Sequence, residues 1–183
     1  MKTSQDTCGD PAAIVLAEGV LSCRLLTARY LSGFDDASCV RQKPERPNHV
    51  AWCLGHCSLT MHRVAGMLDG NDLPACDLGP GVIGSRTDGI FGADGVAFGS
   101  QPTEDPSTYP SLSRCVEIYN RACERLASAI EAAAKGRLDA EVPWGQGVVS
   151  IRMLVVRMVF HNGFHTGQIA DLRRGLGLGS IFG

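Results

Sequence analysis

An all-α four-helix bundle is the fold class predicted for this 183-residue chain, and three observations predict it. Four segments of about 21 to 25 residues carry apolar side chains at helical spacing. Each is bounded by residues that start or stop helices. No stretch of comparable length shows the strict alternation expected of strands, so each segment reads as a rod roughly 33 Å long at ~1.5 Å per residue.

The first segment spans Pro11 to Ser32. Asp10 can cap it, Pro11 suits the first helical position, and Gly33 can close it in a left-handed conformation. Its expected inner stripe is Ile14, Ala17, Leu21, Leu25 and Ala28. The second opens after Pro47 with Asn48 as cap and stops near Asp69-Gly70. One face carries His49, Cys53, His56, Thr60, Val64 and Met67, beside Trp52 and Leu59. That face is less apolar than a plain core stripe, which a ligand site would explain.

The third segment runs from Pro110-Ser111 to Lys135-Gly136, with Leu112, Val116, Tyr119, Cys123, Leu126 and Ile130 as its stripe and Lys135 in its last turn. The fourth starts after Ser150 and reaches Arg174. Its inner line is Leu154, Met158, His161, His165, Gln168 or Ile169, and Leu172. Two connections are about 15 residues long, but Gly70 to Tyr109 takes about 40, too many for a plain turn between neighbours. Such a length can carry the chain along the bundle or fold over one end as a lid.

The long connection contains Gly79-Pro-Gly81-Val-Ile-Gly84, a formal match to the dinucleotide fingerprint. The fingerprint requires a strand before it and a helix directly after, and neither is predicted here. Seven glycines between residues 79 and 99 instead predict irregular backbone. One domain, residues 1–183, is expected, with 1–9 a loose tail.

A formal net charge of −2 gives no electrostatic argument for nucleic acid or an anionic membrane surface. No uninterrupted apolar run approaches the ~20 residues of a membrane span, and the N-terminal residues lack an apolar signal core. A cytoplasmic protein with reduced thiols is therefore expected. The eight cysteines form no Cys-x-x-Cys pair, so most are read as small packing residues.

The chemistry concentrates in His161-Asn-Gly-Phe-His165-Thr-Gly-Gln168 and in Trp52-Cys-Leu-Gly-His56. Histidines four apart share a helix face. Three imidazoles inside an apolar bundle are costly unless something satisfies their ring nitrogens, and a metal ion does so. Hydrogen-bonded core histidines are the competing reading. Three neutral nitrogen ligands leave coordination positions open, as a reactive site requires, and they suit Zn, Ni, Fe or Cu.

The first histidine is not followed by the glutamate of a His-Glu-x-x-His peptidase. No Glu-x-x-His pair supports a di-iron carboxylate site. His49, in the first turn, is expected to be exposed, Cys53 to pack, and His62 to be solvated. Gln168 can orient a bound water or a ligand imidazole, or simply be a polar residue at the bundle's end. Gly163 and Gly167, mid-helix, predict close approach of a helix or substrate, or a kink.

The residues that carry these readings, Asn48-His-Val-Ala-Trp52-Cys-Leu-Gly-His56 and His161-x-x-x-His165-x-Gly167-Gln168 with Tyr109-Pro110-Ser111, resemble the DinB-like superfamily of metal-binding bundles over about residues 10–177. The resemblance implies an up-down-down-up bundle with His56, His161 and His165 holding a divalent transition metal (Zn, Ni or Fe). It also implies a thiol-dependent S-transferase taking a low-molecular-weight thiol and a small-molecule substrate; a metal-dependent hydrolase is the chemical sibling, since a metal can bring bound water's pKa to about 7. The alternative is a non-catalytic metal-binding stress-response or interaction protein. A homodimer is a further expectation of the resemblance. Cys53 and Cys57, flanking the motif histidine, depart from its usual pattern.

Overall fold

The computed structural model describes residues 10–43 and 48–181, so the expected tail at 1–9, Cys8 and Pro47 lie outside the described residues. Four helices dominate: α1 (Pro11–Leu31), α2 (Val50–Asp69), α3 (Leu112–Glu131) and α4 (Ile151–Gly175). Asp10 caps α1 as expected, and Ser111 and Ser150, at the expected starts of α3 and α4, cap those helices, each side chain accepting a first-turn N–H.

Cross-helix pairs show how the rods lie. Cys23 meets the Val159 carbonyl and Thr27 meets Thr166, so numbering rises together along α1 and α4. Arg24 pairs with Glu124 and Thr27 with Tyr119, so α1 and α3 run oppositely. Asn48 meets Gln168 while His56 meets His161, so α2 and α4 are also opposed.

The buried core joins all four helices through residues such as Val20, Leu54, Met61, Ile118, Leu126, Leu154 and Ile169. α1 presents a different stripe from the expected one. Ala13, Ala17, Val20, Cys23, Thr27 and Leu31 are buried, whereas Ile14 and Leu25 are exposed. Apolar residues on nearly every side of α1 leave its periodicity ambiguous. The small residues and Thr27, which hydrogen-bonds across the bundle, take the inward face. By length and mean hydropathy α1 would suffice to cross a membrane, yet it packs its small-residue face on α3 and α4.

α3 ends at Glu131, so Lys135 lies beyond its last turn. The following connection is not plain loop. β3 (Glu141–Trp144) and β4 (Gly147–Ser150) form an antiparallel hairpin across the turn at Gly145, whose φ is +61°. Strands of four residues are too short to register as a period.

The connection between α2 and α3 contains a parallel two-residue pair, β1 (Leu78–Gly79) with β2 (Phe91–Gly92). It forms no strand–turn–helix nucleotide unit. Its strap, residues 91–100, lies along the outer side of α2, so α2 is buried on every side from Val50 through His62. Gly55 permits this approach: a Cβ there would stand 2.8 Å from both Phe91 and Val96. Gly163 and Gly167 behave differently, since a Cβ at either would meet nothing within 4 Å. No described element closes on that face of α4.

Candidate metal centre

α2 begins one residue later than expected. His49, not Asn48, is its cap, and the Nδ1 of His49 accepts from the Trp52 N–H at 3.1 Å. Its Nε2 donates to the Thr103 carbonyl at 3.0 Å, which places the ring between the helix start and the long connection. The expected exposure of His49 is therefore wrong: the residue is 0 % exposed. Burial pushes its pKa down to about 4, against the opposing pull of the Thr103 carbonyl and Glu104. Asn48 instead donates to Gln168 Oε1 at 3.3 Å.

One turn on, Trp52 hangs from the strap by its indole N–H, which reaches the Gly95 carbonyl (3.1 Å) and Ser100 Oγ (2.9 Å). Its ring stacks on His56 with centroids 4.6 Å apart and planes 11° from parallel. The adjacent strap carbonyl, Val96, takes the His56 Nδ1 proton at 2.7 Å. With that nitrogen engaged as donor, His56 presents the lone pair of Nε2.

From α4, His165 Nδ1 donates to Gln168 Oε1 at 2.9 Å. Its Nε2 then also carries a lone pair, and it faces His161 Nε2 at 3.1 Å. Gln168 thus orients the imidazole, one of its expected roles. The three histidines offer ring nitrogens that all lie within 4.8 Å of one another, and they are the metal-competent group found among the described residues.

The donor set fits a metal ion. Bonds of about 2.1 Å to one tetrahedral ion set two imidazole nitrogens about 3.4 Å apart, close to the His161–His165 separation. Two unprotonated nitrogens facing each other repel unless a proton or cation lies between them. The protonation states agree with ligation too. Burial lowers all three pKa values, His161 to about 3 and His165 to about 4, so the neutral, ligating imidazole prevails at pH 7. Neighbouring histidines add to the shift at His161 and His165, and Arg63 adds at His56.

Cys53 and Cys57 do not join this group. Both are buried, and burial raises both thiols well above their ordinary range, which keeps them protonated. Cys53 donates its weak S–H to Gln168 Oε1 at 3.6 Å. His49 is committed to the cap. His62, expected in solvent, is only 2 % exposed. It sits on the far side of α2, with Nε2 3.6 Å from Asp77 and Nδ1 accepting from Arg125 at 3.3 Å. Burial alone would raise the Asp77 pKa, but His62 and Arg121 outweigh it and hold the carboxyl below its usual range. This cluster ties the start of the long connection to α3. The Val96 and Gly95 carbonyls had no sequence signal, because any residue supplies a carbonyl and only the folded strap aims it.

A protein-family model described as the DinB superfamily matches residues 22–169, which include all three histidines. Among solved structures, a conserved protein from Enterococcus faecalis superposes with a TM-score of 0.65 at 13% identity, covering 87% of this chain and 94% of that one. At that identity the likeness concerns the fold alone. No curated protein matches the sequence. The span and placement of the family match show that this chain belongs to the DinB superfamily.

Proposed function

We propose that the protein is a metal-dependent enzyme that transfers a low-molecular-weight thiol to a small electrophile, with His56, His161 and His165 holding the ion. The observation that carries the reading is the set of three neutral imidazoles whose ring nitrogens converge within 4.8 Å, two of them with their tautomers fixed by Val96 and Gln168. A divalent metal supplies there a positive charge that makes a coordinated thiol, or in the hydrolase variant a water, available as nucleophile near pH 7. The protein's own part is to keep the imidazoles neutral, to aim them through the strap carbonyl and the Gln168 amide, and to exclude bulk water with Trp52 and the strap. The thiol reading needs no general base, because coordination to the metal would itself deprotonate the thiol.

The up-down-down-up arrangement belongs to the same reading, supported by the contact pairs along the helices. A second copy of the chain is its proposed protein partner. Ile14, Val15, Leu25 and Leu26 on α1 and Met153, Val156, Phe160 and Phe164 on α4 are exposed. A non-catalytic metal-binding stress-response or interaction role is the second reading. It is favoured by the low exposure of His56 and His165, 5% each.

Elemental analysis of purified protein, followed by a thiol-plus-electrophile activity screen, tests both. Near-stoichiometric metal that is lost in His161→Ala is the expected result. Full metal content surviving substitution of all three histidines would refute the site. A fully metallated protein inert towards several thiols would favour the second reading.

A further inference from the structure

We infer that Trp52 is the positioning residue of the metal centre: one indole braces the rings of His56 and His165 together, and so sets the affinity for the ion. The inference rests on the metal site of the proposed function and is independent of the reaction carried out there. A single hydrogen bond at Nδ1 leaves the tilt of an imidazole loosely set. Val96 holds His56 in this way, and Gln168 holds His165. The Nε2 lone pair lies in the ring plane, so a ring that tilts carries its donor atom off the point shared with the other ligands.

Trp52 is placed to stop that tilt. Its indole lies flat on His56, with centroids 4.6 Å apart and planes 11° from parallel, and it meets His165 in an edge contact at 5.8 Å and 62°. One side chain thereby touches a ligand from α2 and a ligand from α4. The indole is itself pinned, since its N–H lies between the Gly95 carbonyl (3.1 Å) and Ser100 Oγ (2.9 Å), and Ser100 Oγ donates to the same carbonyl at 2.8 Å. The residue is 5% exposed, so close packing holds the ring as well. His161 has no comparable anchor at Nδ1, a buried atom without a hydrogen-bond partner among the described residues. The alignment of the other two rings therefore defines where the three nitrogens converge. Electrostatics act in the same direction. The face of an indole is electron-rich, and an imidazole on a divalent ion carries part of the positive charge, so the stack is stronger with the ion bound than without it. A tryptophan that merely filled the core would favour both states alike.

The test measures Zn(II) affinity of the full chain by competition with a chromogenic chelator, in wild type, Trp52→Phe, Trp52→Leu and Ile130→Ala. Ile130 is fully buried in α3, beyond the level where Arg125 meets Asp69, and Asp69 is itself roughly 20 Å along α2 from His56 at ~1.5 Å per residue. Trp52→Leu should bind Zn(II) about 10- to 100-fold more weakly, as loss of a group that orients a ligand does. Trp52→Phe keeps a ring on His56 and should recover most of that loss. Ile130→Ala should lower the Tm yet leave the affinity within about twofold of wild type, because its cavity lies far from the ligands. A Trp52→Leu affinity equal to wild type, a Trp52→Phe affinity as low as that of Trp52→Leu, or an equal loss in Ile130→Ala each overturns the inference while leaving the metal site standing. Wild type that binds no Zn(II) overturns the site and the inference together. Where Trp52→Leu does not fold, Trp52→Met, whose flexible chain adapts to irregular core gaps, is judged by the same criteria.

Discussion

His49→Asn separates two jobs that the wild-type imidazole performs together. In wild type, Nδ1 caps α2 and Nε2–H satisfies the Thr103 carbonyl. Both require the neutral ring, which burial enforces by lowering the pKa to about 4. The unfolded chain titrates at about 6.5. Between these values the unfolded state binds a proton that the folded state refuses, so stability rises with pH through this window and is fully present above it. Integrated from pH 5.0 to 7.5, this one imidazole contributes about 2 kcal/mol. Asparagine keeps a cap acceptor but cannot titrate, and it leaves Thr103 without its donor at a cost of about 1–3 kcal/mol. Urea denaturation of chelator-treated proteins at several pH values checks the reasoning. The variant should be less stable at pH 7.5 and draw level with wild type near pH 5, because the other histidines titrate in both. Parallel stability curves would refute the assignment of His49 as a buried, neutral cap.

Three further outcomes follow from the same contacts. Gln168→Leu removes the acceptor that fixes the His165 tautomer, so metal affinity measured by competition with a chromogenic chelator should fall about 10- to 100-fold with little change in helix content. A Cβ at Gly95 would land on the Val82 carbonyl, a backbone atom that cannot swing away. Gly95→Ala should therefore displace the strap from Trp52 and His56, lowering both the Tm and metal affinity. Cys53→Ser keeps a donor towards Gln168 and alters no ligand, so metal stoichiometry should be unchanged by elemental analysis. A lower stoichiometry would make the Cys53 thiol a ligand.

What the sequence disclosed and what it withheld divide along a physical line. Helix existence was legible because start signals and spacing are local: Asp10 caps α1 as expected, and α3 and α4 begin directly after Ser111 and Ser150, where starts were expected. The meeting of the three histidines was legible because imidazoles four apart on an apolar stripe need partners that a third inward imidazole on a facing helix helps to supply. Orientation about the helix axis was not legible for α1, where nearly every side is apolar. Nor was the environment of His49 and His62, since both are buried by residues 70–109, a segment whose path depends on contacts distant in sequence. Position in the first turn predicted exposure for His49. Tertiary cover from Thr103 and Tyr109 overrode it.

The strap couples the cover of α2 to the choice of imidazole tautomer. A histidine on a helix offers two nitrogens, and nothing local decides which one keeps its proton. Val96 decides it for His56, and Gln168 for His165, by accepting at Nδ1. Both free lone pairs are thereby left at Nε2, the atoms that converge with His161. The same strap covers Trp52 and the outer side of α2, and the resulting burial keeps the rings neutral. Two glycines, one in α2 and one in the long connection, are thus part of the site without lying in the histidine cluster. Gly55 lets the strap approach α2, and Gly95 lets it fold back on itself at Val82. A bundle with the same three histidines but a shorter connection would keep the i, i+4 pair on α4. It would lose the acceptor that fixes the His56 tautomer and the cover that keeps all three imidazoles uncharged, and with them the preorganisation a metal needs.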